Sequence, residues 1–147
     1  MGRVSLAEGG WLKDLLVSIK DEVPGVRALA IISYDGFIIE SLIPSSVEEA
    51  LMAAMGSSVL GIAERMSMDL GLGKFELGII CCEDGYLLLT KATKEIILLL
   101  LVGKEVKLGI ALYSAKRAAA RIAEALRRVP VEEAPPPPSE AGGPPGP

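Results

Sequence analysis

The sequence predicts an α+β fold: a three-layer α/β/α sandwich around a five-stranded antiparallel sheet in the order 2-1-5-4-3. Three observations predict it. Ile96–Val102 is a run of seven apolar residues with no polar interruption, set between Lys94-Glu95 and Gly103-Lys104-Glu105. Two Asp-Gly pairs, Asp35-Gly36 and Asp84-Gly85, fall between apolar runs where hairpin turns belong. Three further segments space their apolar residues as amphipathic helices do.

The apolar run is far too short for a bilayer span, which takes about 20 residues as a helix. Its length and its lack of alternation fit a strand buried on both faces. Burying a Leu or Ile side chain is worth roughly 1.5–3 kcal/mol, so the run offers on the order of 10–20 kcal/mol before entropy is charged. Only the middle of a sheet collects that return. The run is therefore the fifth and central strand, joining a hairpin of strands 1 and 2 to a meander of strands 3, 4 and 5.

Residues 1–10 read as a loose lead-in. Trp11, Leu12, Leu15, Leu16 and Ile19 form a short amphipathic helix that ends at Val23-Pro24-Gly25. Val26–Ser33 and Phe37–Leu42 form the hairpin around Tyr34-Asp35-Gly36. The second helix starts after Pro44, where Ser46 with Glu49, or Ser45 with Glu48, has capping-box spacing, and it stops at Gly71-Leu72-Gly73. Lys74–Cys82 and Tyr86–Ala92 are strands 3 and 4. A last helix places Leu108, Ala111, Leu112, Ala115, Ala119, Ile122 and Leu126 on one face, with Arg117, Arg121 and Arg128 on a solvated side. The long second helix covers one face of the sheet; the first and third cover the other. From Val129 the chain turns rich in Pro, including Pro135–Pro138, so 11–128 is the domain and 129–147 a disordered, partly polyproline II tail.

Composition narrows the function. The 147 residues carry a net charge of −4 and no basic block, which argues against a nucleic-acid partner. No charged stretch leads into an apolar leader, and the two cysteines are adjacent, so a cytoplasmic protein without membrane insertion is expected. The chain has no His, Asn or Gln. Loss of thermolabile amides suggests a heat-adapted prokaryote, and loss of His removes the commonest general base and metal ligand.

No catalytic constellation emerges. Gly71-Leu72-Gly73-Lys74 faintly suggests a phosphate loop, but Met68 and Phe75 stand where that loop needs Gly and Ser or Thr. Cys81 and Cys82 are neighbours on a strand and point to opposite faces, so small buried core residues are expected. Glu83 and Asp84 belong to a turn.

Two features go beyond a plain domain. Strand 3 is an edge in the predicted order, yet Leu77–Cys82 holds no charge and no Pro, which invites pairing with another chain. On the second helix, Leu51, Met55, Val59, Ile62, Met66 and Leu70 form a stripe expected to face the sheet. A different stripe, Ala50, Ala53, Ala54, Ser57, Gly61, Glu64 and Met68, is nearly all small and is expected to admit a partner closely.

Leu12–Ser41, with Pro24-Gly25-Val26 and Ser33-Tyr34-Asp35-Gly36, resembles the opening of a Roadblock/LC7 domain. The helix Ala50–Leu70, the segment Glu83–Thr90 and Leu108-Gly109-Ile110-Ala111-Leu112 resemble the rest, so the likeness spans about residues 8–128. Each motif is a turn or an apolar run; their order and spacing carry the resemblance. It implies a profilin-like α/β/α sandwich. It also implies a homodimer, or a heterodimer with a paralogous Roadblock chain, whose sheets join through strand 3 (Leu77, Gly78, Ile79, Ile80, Cys81 and Cys82) while the second helices lie side by side. The family implies a regulator or scaffold for a Ras-like small GTPase, not an enzyme, with no cofactor, metal or catalytic residue of its own. Its MglB-type members act as GTPase-activating proteins. The GTPase would dock on the paired second helices, here the Ala50–Met68 stripe. The alternative is a longin- or profilin-like interaction module without a GTPase; a thiol-dependent enzyme stands third.

Overall fold

In the computed structural model, which describes residues 10–128, β5 (Ile96–Gly103) runs through the middle of the sheet. It is flanked by β1 (Val26–Ser33) and β4 (Gly85–Lys91), with β2 (Ile38–Leu42) and β3 (Leu77–Cys81) at the two sides. The order is β2-β1-β5-β4-β3 and every neighbouring pair is antiparallel, as the sequence predicts. The lead-in before Gly10 and the tail after Arg128 lie outside the described residues.

The register explains the two cores. Leu29, Leu100 and Leu88 align across three strands, and so do Ala30, Leu99 and Leu89. Successive strand residues point to opposite faces. The first row packs against α1 (Trp11–Glu22) and α3 (Leu108–Arg128) through Leu12, Leu16, Ile19, Ala111, Ala115, Ala119 and Ile122. The second row packs against α2 (Glu49–Asp69) through Ala53 and Leu60. One helix on one face and two on the other is the predicted layering.

Several local expectations need correction. Leu101 of the central run is 39% exposed, because α2 does not cover that end of the sheet. Leu108, expected on the buried face of α3, is exposed in the helix's first turn. Arg121 is not simply solvated: it donates to Ser18 Oγ (3.2 Å) and pairs with Glu22, tying α3 to α1. Strand β3 starts at Leu77 rather than Lys74. The capping boxes do not form: α2 begins at Glu49 with no side-chain cap, and the Glu49 carboxylate instead accepts from Ser41 Oγ (2.7 Å) on β2.

The largest departure is the rotation of α2 about its axis. The stripe Leu51, Met55, Val59, Ile62, Met66 and Leu70 was expected on the sheet, yet all six are exposed. Ala53, Gly56 and Leu60 face the sheet instead. A methyl group on Gly56 would stand 3.2 Å from Ile32 Cδ1 and 3.9 Å from Leu89 Cδ2. Here the backbone of α2 rests closely on the strand side chains, and a Cβ at this position would press on Ile32.

Gly56→Leu should therefore destabilise the fold by about 1–3 kcal/mol in chemical denaturation through overpacking. Gly61→Ala, where an added Cβ meets nothing within 4 Å, should be neutral or stabilising by up to about 1 kcal/mol from helix propensity.

Candidate functional site

The exposed surface of α2 is built from its own sequence. With 100° between residues, Ala53, Gly56 and Leu60 fix the direction of the sheet, and Met55, Val59, Ile62 and Met66 fall on one outward flank. Met55 is 46% exposed and Ile62 61% exposed. A monomeric helix would normally carry charged residues there. The opposite flank faces the β1–β2 turn: Gly36, at φ +95°, places its α-carbon so that an added Cβ would stand 3.0 Å from Ser57 Oγ.

The flank with Met55 and Val59 borders bare sheet. Ile80, Leu87 and Leu101 align across β3, β4 and β5. Leu87 and Leu101 lie two residues from Leu89 and Leu99, so they share the face that α2 covers further along. Ile80 and Leu101 are exposed. Helix flank and sheet floor together make one apolar shelf that runs out to the β3 edge.

The two edges of the sheet differ in charge. β2 carries Glu40, whose carboxylate lies 3.6 Å from Lys13 Nζ of α1, and Lys13 also donates to Ser41 O (3.1 Å). Charge and a covering helix blunt that edge. β3 reads Leu77-Gly78-Ile79-Ile80-Cys81 and bears no charge. Its outer N–H and C=O groups have no strand beside them among the described residues.

The predicted small-residue stripe is not brought together as one open face. Ala53 is fully buried under the sheet, while Ser57, Gly61 and Glu64 are half-buried. Only Ala50, Ala54 and Met68 of that set are exposed. Ala53 serves the interior, letting α2 approach the sheet, and Ser57 abuts the β1–β2 turn at Gly36. Sequence reasoning thus missed Met55, Val59, Ile62 and Met66 as surface residues. A signal was present in Gly56, which belonged to neither stripe; a glycine inside a helix marks close approach of something else. The cysteines are also corrected. Cys81 and Cys82 are both exposed, because β3 is the outer strand and ends there.

Glu64 is committed to the fold. Its carboxylate accepts from Lys91 Nζ (2.8 Å) and from the Tyr34 hydroxyl, and Lys91 lies 5.1 Å from the Tyr34 ring centre. The Lys91 hydrogen bond, then that of Tyr34, holds its pKa below the ordinary 4.5, and the same contact raises that of Tyr34. Among the described residues no group of three or more His, Cys, Asp and Glu side chains is placed to hold a metal ion. No described helix is long and apolar enough to cross a membrane.

Because Glu64 is more acidic when folded, its ionised form adds stability above about pH 4.5, and that contribution is lost as pH falls through the lowered folded value. Thermal melts should show Glu64→Gln less stable than wild type near neutrality. The gap should close only below pH 4.5. A gap that persists unchanged into acid would mean that the carboxylate's charge is not what matters.

Comparison with known proteins places this geometry in context. The family model for the Roadblock/LC7 domain matches residues 12–102. An uncharacterized protein of Methanocaldococcus jannaschii is 35% identical over 102 residues, covering 69% of this chain and 89% of the relative. Among solved structures, Myxococcus xanthus MglB superposes with a TM-score of 0.73 at 12% identity, over 82% of this chain and 98% of that one. Acanthamoeba castellanii profilin IB superposes with a TM-score of 0.54 at 14% identity, over 77% of this chain and 94% of that one. At these identities the superpositions speak to the fold alone.

Proposed function

The chain belongs to the Roadblock/LC7 domain family, and on that premise we propose that it is a self-associating, non-catalytic regulator or scaffold of a Ras-like small GTPase in a prokaryotic cytoplasm. The observation that carries this reading is the continuity of the α2 flank with the uncharged β3 edge. A second copy that adds its β3 antiparallel to the first would extend the sheet and bring its own α2 alongside. Met55, Val59, Ile62, Met66 and Leu101, each about half exposed now, would then be covered in both copies. Full burial of such a side chain is worth roughly 1.5–3 kcal/mol, so half-burial of ten gives on the order of 10 kcal/mol. That is comparable with the roughly 4–15 kcal/mol that association costs, and the main-chain hydrogen bonds along β3 add to it. A paralogous Roadblock chain with the same features would serve equally.

The side of α2 that stays outward in such a pair carries Ala50, Ala54, Gly61 and Met68 from the predicted stripe, together with Ser58 and Arg65. In this proposal the GTPase rests there, on a platform made by both copies. The chain supplies shape and positioning; the partner holds nucleotide and magnesium.

Sedimentation should find a dimer, and Ile62→Asp should weaken self-association by at least about tenfold, since the new carboxylate would be buried without a partner. Gly61→Arg should leave the dimer intact and abolish binding of the host's Ras-like GTPase, measured with GDP and with a non-hydrolysable GTP analogue. Binding without faster hydrolysis would identify a scaffold. A dimer that binds no GTPase in either state would favour an interaction module of another kind.

A further inference from the structure

A shallow groove of about 600 Å³ lies between the loop that follows α2 and the N-terminal half of α3. Leu72, Phe75 and Tyr113 form its apolar part, with Lys74 and Lys116 beside them and Glu76 as the one acid. Leu72 is 75% exposed and Tyr113 is 59% exposed, large values for apolar and aromatic side chains. Arg117 Nη1 donates to the Tyr113 hydroxyl (3.2 Å), which adds a third cation and holds the ring in place. The groove is therefore aromatic and net basic on a chain that is net acidic.

Aromatic-lined grooves suit polyproline II segments, which have little conformational entropy left to lose on docking. The sequence itself holds a run of prolines. After Arg128 it reads Val129-Pro130-Val131-Glu132-Glu133-Ala134, then Pro135–Pro138, then Ser139-Glu140. The four prolines are thus flanked by acids on both sides, the complement of a groove flanked by lysines. The reach also fits. Lys116 lies 12 residues before Arg128 on α3, which is about 18 Å along the helix axis. The six residues from Val129 to Ala134 span about 19 Å when extended as polyproline II. A chain that turns back along α3 arrives at Lys116 with its first proline of the run.

We propose that the groove holds the same chain's Pro135–Pro138 segment, with Glu133 and Glu140 reaching towards Lys74 and Lys116. The groove meets the proposed pairing edge only at Leu77, the first residue of β3, and the proposal needs no GTPase.

The test uses the full chain. Backbone amide spectra of the wild type are compared with those of a full-length variant in which Pro135, Pro136, Pro137 and Pro138 are all replaced by Ser. The changes lie beyond α3, which ends at Arg128 and closes the described fold. The amides of Leu72, Lys74, Phe75, Tyr113 and Lys116 should shift between the two proteins, and the difference should be unchanged by tenfold dilution. It should shrink as salt is raised, since the ion pairs are exposed. Lys74→Glu with Lys116→Glu, in the native tail background, should reproduce the groove shifts of the serine variant. Identical groove amides in wild type and serine variant would overturn the proposal. Shifts that vanish on dilution would overturn it too, by assigning the groove to another copy's tail.

Discussion

Everything that distinguishes this molecule from a plain sandwich follows from how closely α2 sits on its sheet. Ala53 and Gly56 let the helix backbone settle on Ile32 and Leu89, with Leu60 filling the space beside them. Close packing is normally bought with large side chains that interdigitate. Here it is reached with almost none, so the large side chains of the same helix have no place in the core. They turn outward, onto a flank that continues into the exposed sheet at Ile80 and Leu101. The other face shows the same device in milder form, where Ala111, Ala115, Ala118 and Ala119 bring α3 down on the sheet. There the helix keeps its charges, Lys116, Arg117 and Arg121, on the outside.

The difference between the two helices carries the functional argument. Beyond its exposed first turns, α3 is a surface helix in the usual sense, with Ala115, Ala118, Ala119 and Ile122 inward and Arg121 fastened to α1. α2 is apolar on both sides, which is the pattern of a helix that ends up between two layers. One layer is its own sheet. The neighbouring β3 edge, uncharged where β2 is charged, supplies the backbone groups that a second copy needs. Self-pairing through this surface accounts for both features at once, and it leaves the Ala54–Gly61 side of α2 facing away from both layers. The regulator reading follows, with the family supplying the class of partner.

Much of the architecture was legible in the residues. The apolar run Ile96–Val102 fixes the central strand, the Asp35-Gly36 and Asp84-Gly85 turns fix the two hairpins, and the sheet order follows from putting the run in the middle. The rotation of α2 was not legible by the rule used. Hydrophobic periodicity assigns the largest apolar stripe to the core, and that holds only for a helix with a single buried face. In α2 the larger apolar stripe is exposed and the smaller one, Ala53, Gly56 and Leu60, is buried, so size alone does not say which meets the sheet. Gly56 was the local clue, since its lack of Cβ has value only where another group comes close. The missed caps and the exposed cysteines have simpler causes. Glu49 is drawn to Ser41 on β2 rather than back to Ser46, and Cys81 ends the outermost strand. The β3 edge itself was legible, because absence of charge on an outer strand can be read directly.

Amide hydrogen exchange of β3 tests the central claim most directly. Alternate residues of an antiparallel strand point their N–H groups to opposite sides, so about half of the β3 amides look away from β4. If two copies join edge to edge, those outward amides should be protected nearly as well as the ones bonded to β4, and diluting the protein should strip the protection from the outward set first. Outward β3 amides that exchange as freely as an open edge at every concentration, while the inward ones stay protected, would contradict the account.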